Sequence, residues 1–494
     1  MSEFNFETPS RQSVKGIVFL LLPSIVKSLK SAYIPLIYYI IQFFREPERS
    51  RDFLPYIIFG IIGLLGFYLI RSILSFQNFK FSVSKDHFVL SRGITKKKRI
   101  EIPRHKIQNV HLKQSLLQRL VGVVEVAIDT AGDTSTEVTI KALENTKARA
   151  LRTVLLNMTS KEEVKDTRNY VLRISFKELL LAGITQNHFT SFYLLSAVLF
   201  GVLVDFRDVA EMFGYEGMME ELKEKATNSA SYTFLIYVVL AVIVILTSIG
   251  YSIFKVILTN YGLAVIKNRE GLEIHKGLFN RISYALNASK IQSVVYTTNA
   301  LKQRLGLFNL RFNQAMSTEQ SKKNIGLVAV QKANLSTLER FVFGYPIDDT
   351  LEKKKPAAYF KTQLFLNTAF PLIIVNVFAI SLWGAKVGLV NLVLVPWFFL
   401  LHWLRYRKSY YSLHKDYMVV GEGRIDTVTH IFEHHKIQSL KLKQSFFQKR
   451  REVASIHVHT AASLIVIPAV PFPEAMELYD DLLYKVETSN KNWI

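Results

Sequence analysis

Cysteine is absent from all 494 residues, so disulfides, thiolate nucleophiles and zinc or iron–sulfur centres held by sulfur are excluded. The 22 glycines never gather into a phosphate-cradling loop or a nucleophile elbow, and no acid/base pair stands out. Enzymatic chemistry has no visible carrier, and neither a cofactor nor a metal is expected. The long apolar runs hold no Asp or Glu, which removes the ionisable group that an ion-coupled transporter uses at depth. An aromatic-basic motif of the RNA-binding kind is also missing, so nucleic acid is not an expected partner. Acids are the minority charge: 40 stand against 62 Lys and Arg, leaving a net charge of +22.

That charge coexists with a mean hydropathy of +0.18. The two are compatible if apolar runs lie in lipid while the basic residues face something anionic. The opening MSEFNFETPSRQ puts acids ahead of an apolar run too long for an h-region, so no cleavable signal is expected.

The tripeptide Lys106-Ile107-Gln108 returns as Lys290-Ile291-Gln292 and as Lys436-Ile437-Gln438. The continuations KIQNVHLKQSLLQRLVGVVEVAI, KIQSVVYTTNALKQRLGLFNLRF and KIQSLKLKQSFFQKRREVASIHV align without a gap, placing Val110 on Val294 and Leu440, and Gly122 on Gly306. A shared pattern of that length marks an internal repeat, so the chain reads as three copies of one module.

Each copy starts with apolar segments. An interfacial helix over 14–29 and a crossing at 31–45 precede a cleaner crossing from Phe53 to Ser75. The second copy crosses at 189–204 and 232–258, the third at 364–383 and 387–404. Strand alternation follows every time, as in FKFSVS, HFVLS and RIEI, and ten Lys/Arg against two acids fill Lys80 to Lys113. The first such domain closes with a helix from about Asn145 to Met158. The resulting division is 1–77, interfacial helix and hairpin; 78–160, β domain; 174–258, interfacial helix and hairpin; 259–345, β domain; 359–405, hairpin; and 408–490, β domain.

Two crossings per copy put all three β domains on one side. The loop from Asp205 to Ala230 holds seven acids against three bases, whereas Lys15, Arg71, Lys80, Lys353, Lys354, Lys355, Arg405, Arg407 and Lys408 flank the other ends. The positive-inside tendency then assigns the N-terminus and the domains of a multi-pass membrane protein to the cytoplasm.

The K-I-Q strand, the Q-S-x-x-Q-(R/K) turn at Gln114–Arg119 and Gln444–Lys449, and the Gly122 and Gly306 positions resemble the bacterial pleckstrin-homology-like (PH-like) domain. Three copies with six crossings resemble the YdbT-like membrane protein family over nearly the whole chain. The resemblance implies a membrane α + β protein whose three transmembrane hairpins are each followed by a bent β barrel with a C-terminal helix. The second copy departs from the turn motif with Thr298 and Lys302 where the first has Gln114 and Gln118, and Glu452 replaces the glycine in the third. Roles resting on those side chains are therefore not expected in every copy.

Lys96, Lys97, Lys98 and Arg99 fall where two strands of the first domain turn, and each could add about 1 kcal/mol of attraction to an anionic bilayer surface. They are candidates for contact with lipid headgroups or another anion, or simply keep a membrane-proximal domain oriented. The matching third-domain turn, GEGRIDTVT, is nearly neutral, so a site shared by all copies is disfavoured. The pairs Lys106 and Gln108, Lys290 and Gln292, and Lys436 and Gln438 share one strand face, with a role in maintaining the fold as the plainer reading. His414, His430, His434, His435, His457 and His459 crowd the third domain, but the other copies have no matching cluster and His435 merely parallels His105, which argues against a metal site. The expectation is a non-catalytic scaffold or envelope-maintenance component that binds lipid or a partner membrane protein, or forms a homo-oligomer. The alternative is a transport or antimicrobial-defence component handling amphiphilic molecules.

Overall fold

The computed structural model describes residues 4–23, 25–26, 28, 47–130, 138–156, 170–197, 230–268, 271–314, 325–348, 350–385, 388 and 391–491. The crossing expected at 31–45 and the acidic loop up to residue 229 lie outside them, as does the end of the crossing at 189–204.

Alternating apolar residues build the strands as their period requires. In the first domain β1 (Ser10–Arg11), β2 (Lys80–Val83), β3 (His87–Arg92) and β4 (Lys98–Pro103) form one sheet in that order. Phe81, Val83, Phe88, Leu90 and Ile102 point inward. A second layer, β5 (Ile107–Gln114), β6 (Val123–Thr130) and β7 (Val138–Glu144), faces it. Helix Asn145–Leu155 buries Ala148, Leu151 and Leu155 against both. The second domain repeats this with β8 (Tyr170–Arg173), β9 (Ala264–Asn268), β10 (Gly271–Lys276), β11 (Arg281–Leu286), β12 (Ile291–Thr298), β13 (Leu307–Gln314) and β14 (Gly326–Gln331), closed by helix Lys332–Phe343. The third has β15 (Tyr410–Leu413), β16 (Tyr417–Glu422), β17 (Thr427–Glu433), β18 (Ile437–Lys443), β19 (Val453–Thr460) and β20 (Leu464–Pro471), closed by helix Phe472–Glu487.

The domains are not separate beads. Strand β5 of the first pairs antiparallel with β11 of the second, giving a seven-stranded sheet in the order β7-β6-β5-β11-β10-β9-β8. Strand β12 pairs with β17 in the same way, giving a six-stranded sheet. Each joint pairs the strand that begins at the K-I-Q isoleucine of one domain with the strand just before that position in the next. The second-domain core runs on through its joint to Tyr417, Val419 and Ile431.

The division drawn from sequence needs correcting at the start of each module. The segment before each apolar stretch belongs to the β domain after it: β1 pairs with β2, β8 pairs with β9, and Lys354 bridges Tyr411. Phe6 lies in the first core beside Phe79 and Phe81, so the stretch before residue 14 is domain rather than membrane segment. Such two- to four-residue strands carry no pattern of their own; the sheet edge recruits them.

Helices α1 (Pro47–Asn78), α2 (Leu116–Val121), α3 (Asn145–Leu155), α4 (Phe176–Ile184), α5 (Ala230–Asn260), α6 (Ala300–Arg304), α7 (Lys332–Phe343), α8 (Tyr359–Trp383), α9 (Asn391–Lys408), α10 (Phe446–Lys449) and α11 (Phe472–Glu487) complete the elements used below. Ile58–Asn78 in α1, Val238–Asn260 in α5 and Tyr359–Leu382 in α8 are long and apolar enough to cross a membrane. Helix α8 packs on α9, where the Thr368 hydroxyl and His402 Nε2 meet at 2.6 Å.

Candidate functional site

Lys96 and Lys97 stand in the turn between β3 and β4, while Lys98 and Arg99 already belong to β4. Gly93 enters the turn at φ 119°, and a Cβ there would lie 2.0 Å from the Lys96 carbonyl oxygen, so only glycine fits. Arg99 pairs with Glu101 at 2.7 Å on the same exposed strand face. Gly277 and Gly423 hold the equivalent turns with φ of 106° and 125°. The turn after Gly277 sits on the end of α5: Gly277 N donates to Tyr261 O and Leu278 N to Leu258 O, each at 2.9 Å. In the third domain Lys408, the last residue of α9, donates through Nζ to the Ile425 carbonyl. These turns therefore lie at the domain ends nearest the apolar helices.

The short helices α2, α6 and α10 lie at the same end. Arg119 of α2 donates to Leu278 O at 2.7 Å, and Asn299, which caps α6, donates to Thr185 O at 2.7 Å beside α4. Each helix exposes large apolar side chains next to bases: Leu116, Leu117 and Leu120 with Arg119; Leu301 and Leu305 with Arg304; Phe446 and Phe447 with Lys449 and Arg450. Leu120 is 83% exposed and Phe446 71%, more than packing on the domain would leave.

One part of the turn motif that precedes these helices is shared by all copies although its side chain differs, and the other part is not. Gln114 Nε2 donates to Val123 O at 2.9 Å, Gln444 Nε2 to Val453 O at 3.0 Å, and the Thr298 hydroxyl to Leu307 O at 3.4 Å. The three acceptors are equivalent, so threonine does in one copy what glutamine does in the others. Ser115 with Gln118 and Ser445 with Gln448 form capping boxes. In the second copy Asn299 caps alone, and Lys302 is buried, its pKa lowered by desolvation against the opposing pull of Asp426. Gly122 and Gly306 adopt φ of 76° and 65°, and Glu452 is held at 51°.

The repeated lysine acts across the joints. Lys290 Nζ donates to the Ile107 carbonyl at 2.9 Å, and Lys436 Nζ to the Ser289 carbonyl at 2.7 Å. Each lysine thus grips the K-I-Q region of the preceding domain, and burial lowers the pKa of both. Lys106, in the first domain, is exposed. Gln292 is buried and Gln438 exposed, following whether the strand is paired on both sides; the Gln108 side chain is outside the description.

Three polar groupings escaped the sequence reading. Asn109 Nδ2 donates across the first joint to Ala285 O at 2.7 Å and to Gln314 Oε1 at 3.2 Å. His111 and Asp129 meet at 2.6 Å with both side chains fully buried, the imidazole ring edge-on to Tyr284 at 4.5 Å. Arg152 of α3 pairs with Glu273 of β10 at 2.8 Å and donates to the Ser283 hydroxyl at 2.9 Å. Burial acts to raise the Glu273 pKa, but Arg152, His275 and Ser283 together hold it down to about 2. None of these groupings recurs in the other copies, so comparing repeats could not reveal them. His402 could have been noticed as the sole ionisable side chain of the run 387–404.

The third-domain histidines disperse. His430 pairs with Glu422 at 3.1 Å, His434 Nε2 donates to His414 O at 2.9 Å, and His457 and His459 lie on β19. Among the described residues no three His, Asp or Glu side chains gather as a metal site would require.

The geometry defines a membrane protein in which three PH-like β domains are joined in series on apolar helices. The chain belongs to the bacterial PH domain family, whose model matches it three times, at residues 18–159, 200–345 and 369–486. It is similar to the UPF0699 transmembrane protein YdbT of Bacillus subtilis (strain 168), with 22% identity over 480 residues covering 92% of this chain and 93% of the relative. No solved structure matches it.

Proposed function

We propose that the protein is a non-catalytic, six-crossing scaffold of the bacterial cell membrane that holds three PH-like domains against the cytoplasmic leaflet, where its basic rim contacts anionic headgroups. The observation that carries this reading is the shared end of the domains: turns equivalent to Gly93–Lys97 abut the ends of α5 and α9, and the helices α2, α6 and α10 expose leucines and phenylalanines among bases there. An apolar tip flanked by cations suits the headgroup boundary, where the tip enters the acyl region and the cations meet phosphates.

Sheet pairing supports the hairpins. The chain leaves its sheet after Arg11 and returns at the neighbouring β2, leaves after Arg173 and returns at β9, and leaves after Lys354 and returns beside it at Tyr411. A segment whose two ends are hydrogen-bonded neighbours crosses a bilayer an even number of times. The bases flanking α9 against the acidic 205–230 segment favour domains in the cytoplasm.

The absence of cysteine makes the test clean. Phe447→Cys carrying an environment-sensitive fluorophore, in full-length protein reconstituted into nanodiscs, should be quenched by lipids bearing a quencher near the headgroups. The same probe at Lys97→Cys should respond to added phosphatidylglycerol, and reversing Lys96, Lys98 and Arg99 to Glu should abolish that response. Water-like emission from both sites at every lipid composition would refute the proposal.

A further inference from the structure

Of the six strands at joint-forming positions, β4, β5, β11, β12, β17 and β18, two are paired on one side only among the described residues, and they are complementary in kind. Among the described residues β4, which stands in the first domain where β11 and β17 stand in the others, and β18, which stands in the third where β5 and β12 stand, each end a sheet. The exposure pattern marks what is missing. In β12, paired on both sides, the first five residues are buried, whereas in β18 Gln438, Ser439, Lys441 and Lys443 are exposed. Lys98, Arg99 and Glu101 are exposed along β4. An open edge is a template for another strand.

We propose that β18 of one copy pairs antiparallel with β4 of a second copy, continuing the joint that the chain makes twice internally. The register follows from those joints. Leu112 faces Ser283 and Lys113 faces Ile282 in the first, and Tyr296 faces Thr429 and Thr297 faces Val428 in the second. These are the same repeat positions, so the external joint sets Leu442 opposite Arg99 and Lys443 opposite Lys98. Lys106 is then the third copy of the clamp. It reaches for carbonyls around His435–Ile437 of the neighbouring molecule, as Lys290 reaches Ile107 and Lys436 reaches Ser289.

Direction selects this pairing over the symmetric ones, an argument that rests on the proposed membrane placement. Strands β4, β11 and β17 run away from the helix-bearing end and β5, β12 and β18 run toward it, so β4 and β18 are antiparallel in two molecules standing in the same membrane. Two copies of β4, or two of β18, would need one molecule inverted to pair antiparallel. The contact is therefore head-to-tail, and it builds a ring or an open row according to the rotation per joint.

Charge sets its strength. Lys443 opposite Lys98 opposes pairing, as like charges directly across a ladder do, so the joint forms more readily as salt or anionic headgroups screen them. Assembly is accordingly reversible, unlike the two internal joints.

The test uses the full chain in native membranes under mild oxidation. Arg99→Cys with Leu442→Cys should give a ladder of covalent dimers and higher species, and copies carrying one substitution each should cross-link only when mixed. The internal pair Leu112→Cys with Ser283→Cys, closing a disulfide within one chain, controls for folding and reactivity. Lys443→Glu should raise the cross-linked yield several-fold at low salt, and combining it with Lys98→Glu should cancel the gain. Closure of the internal control without intermolecular product, cross-linking of Leu442→Cys copies to themselves, or an unchanged yield in Lys443→Glu would each overturn the proposal. A change in the fluorophore experiments alone would bear on the lipid contact and leave the strand joint standing.

Discussion

Arg152 and Glu273 meet at 2.8 Å across the first joint, one on the closing helix of the first domain and the other on a strand of the second. Because the Glu273 carboxyl titrates near 2 instead of 4.5, it binds fewer protons in the folded protein than in the unfolded chain. The stability it contributes is complete above the unfolded value and is lost as pH falls from about 4.5 toward 2, with an upper bound on the order of 3 kcal/mol. Thermal unfolding in detergent should show an acid-sensitive limb over that window. In Glu273→Gln the midpoint at neutral pH should fall and the limb should flatten; an equally steep limb in the variant would show that another group is responsible.

The K-I-Q lysines should differ in worth although they are identical in sequence. Removing Lys290 leaves the Ile107 carbonyl without its donor, for a loss of about 1–2 kcal/mol, the range for a hydrogen bond from a charged group after the cost of burying that charge. Lys290→Met should lower the unfolding midpoint, and Lys436→Met should do likewise. Lys106→Met should stay within about 0.5 kcal/mol of the parent in dilute detergent, as an exposed substitution does. Equal effects at Lys106 and Lys290 would contradict the assignment of the lysine to the joints.

Gly93→Ala should disturb the turn that presents Lys96 and Lys97. The added carbon would meet the Lys96 carbonyl oxygen at 2.0 Å, at a φ of 119° that alanine rarely adopts. A loss of about 1–3 kcal/mol is expected, together with a weaker fluorescence response at Lys97→Cys to anionic lipid. Gly60→Ala in α1, where nothing lies within 4 Å, is the matched control and should change neither reading.

The repeat, the strand-rich domains and the apolar runs were legible because each is written in a local period: alternation for β2, β3 and β4, long unbroken apolar stretches for α1, α5 and α8. The joints were not. Whether β5 ends a sheet or continues into β11 depends on which edge lies beside it, and β5 and β18 share K-I-Q although one is covered and the other open. The meaning of Lys290 was hidden for the same reason, since its acceptor lies 183 residues away. Residues 10–11 and 170–173 were assigned to membrane segments or linkers because strands so short have no period to read.

Glu452 offers the sharpest separation of backbone from side chain. It occupies the position of Gly122 and Gly306 and keeps their left-handed conformation, at φ 51°, which costs a residue with a Cβ about 1–2 kcal/mol. Its backbone contacts do not depend on the side chain: its N donates to Lys449 O at 3.2 Å, and its carbonyl accepts from Phe472 N at 2.7 Å. Glycine retains both bonds and removes the Cβ conflict, against a greater loss of freedom on folding of about 0.5–1 kcal/mol. Glu452→Gly should therefore stabilise the third domain by about 1 kcal/mol, seen as a higher midpoint in thermal unfolding. Glu452→Ala separates the causes, because it deletes the carboxylate while keeping the Cβ. Alanine should give little or none of the gain, and a rise equal to that of glycine would place the cost in the charge beside Lys449, Arg450 and Arg451 instead of in the backbone.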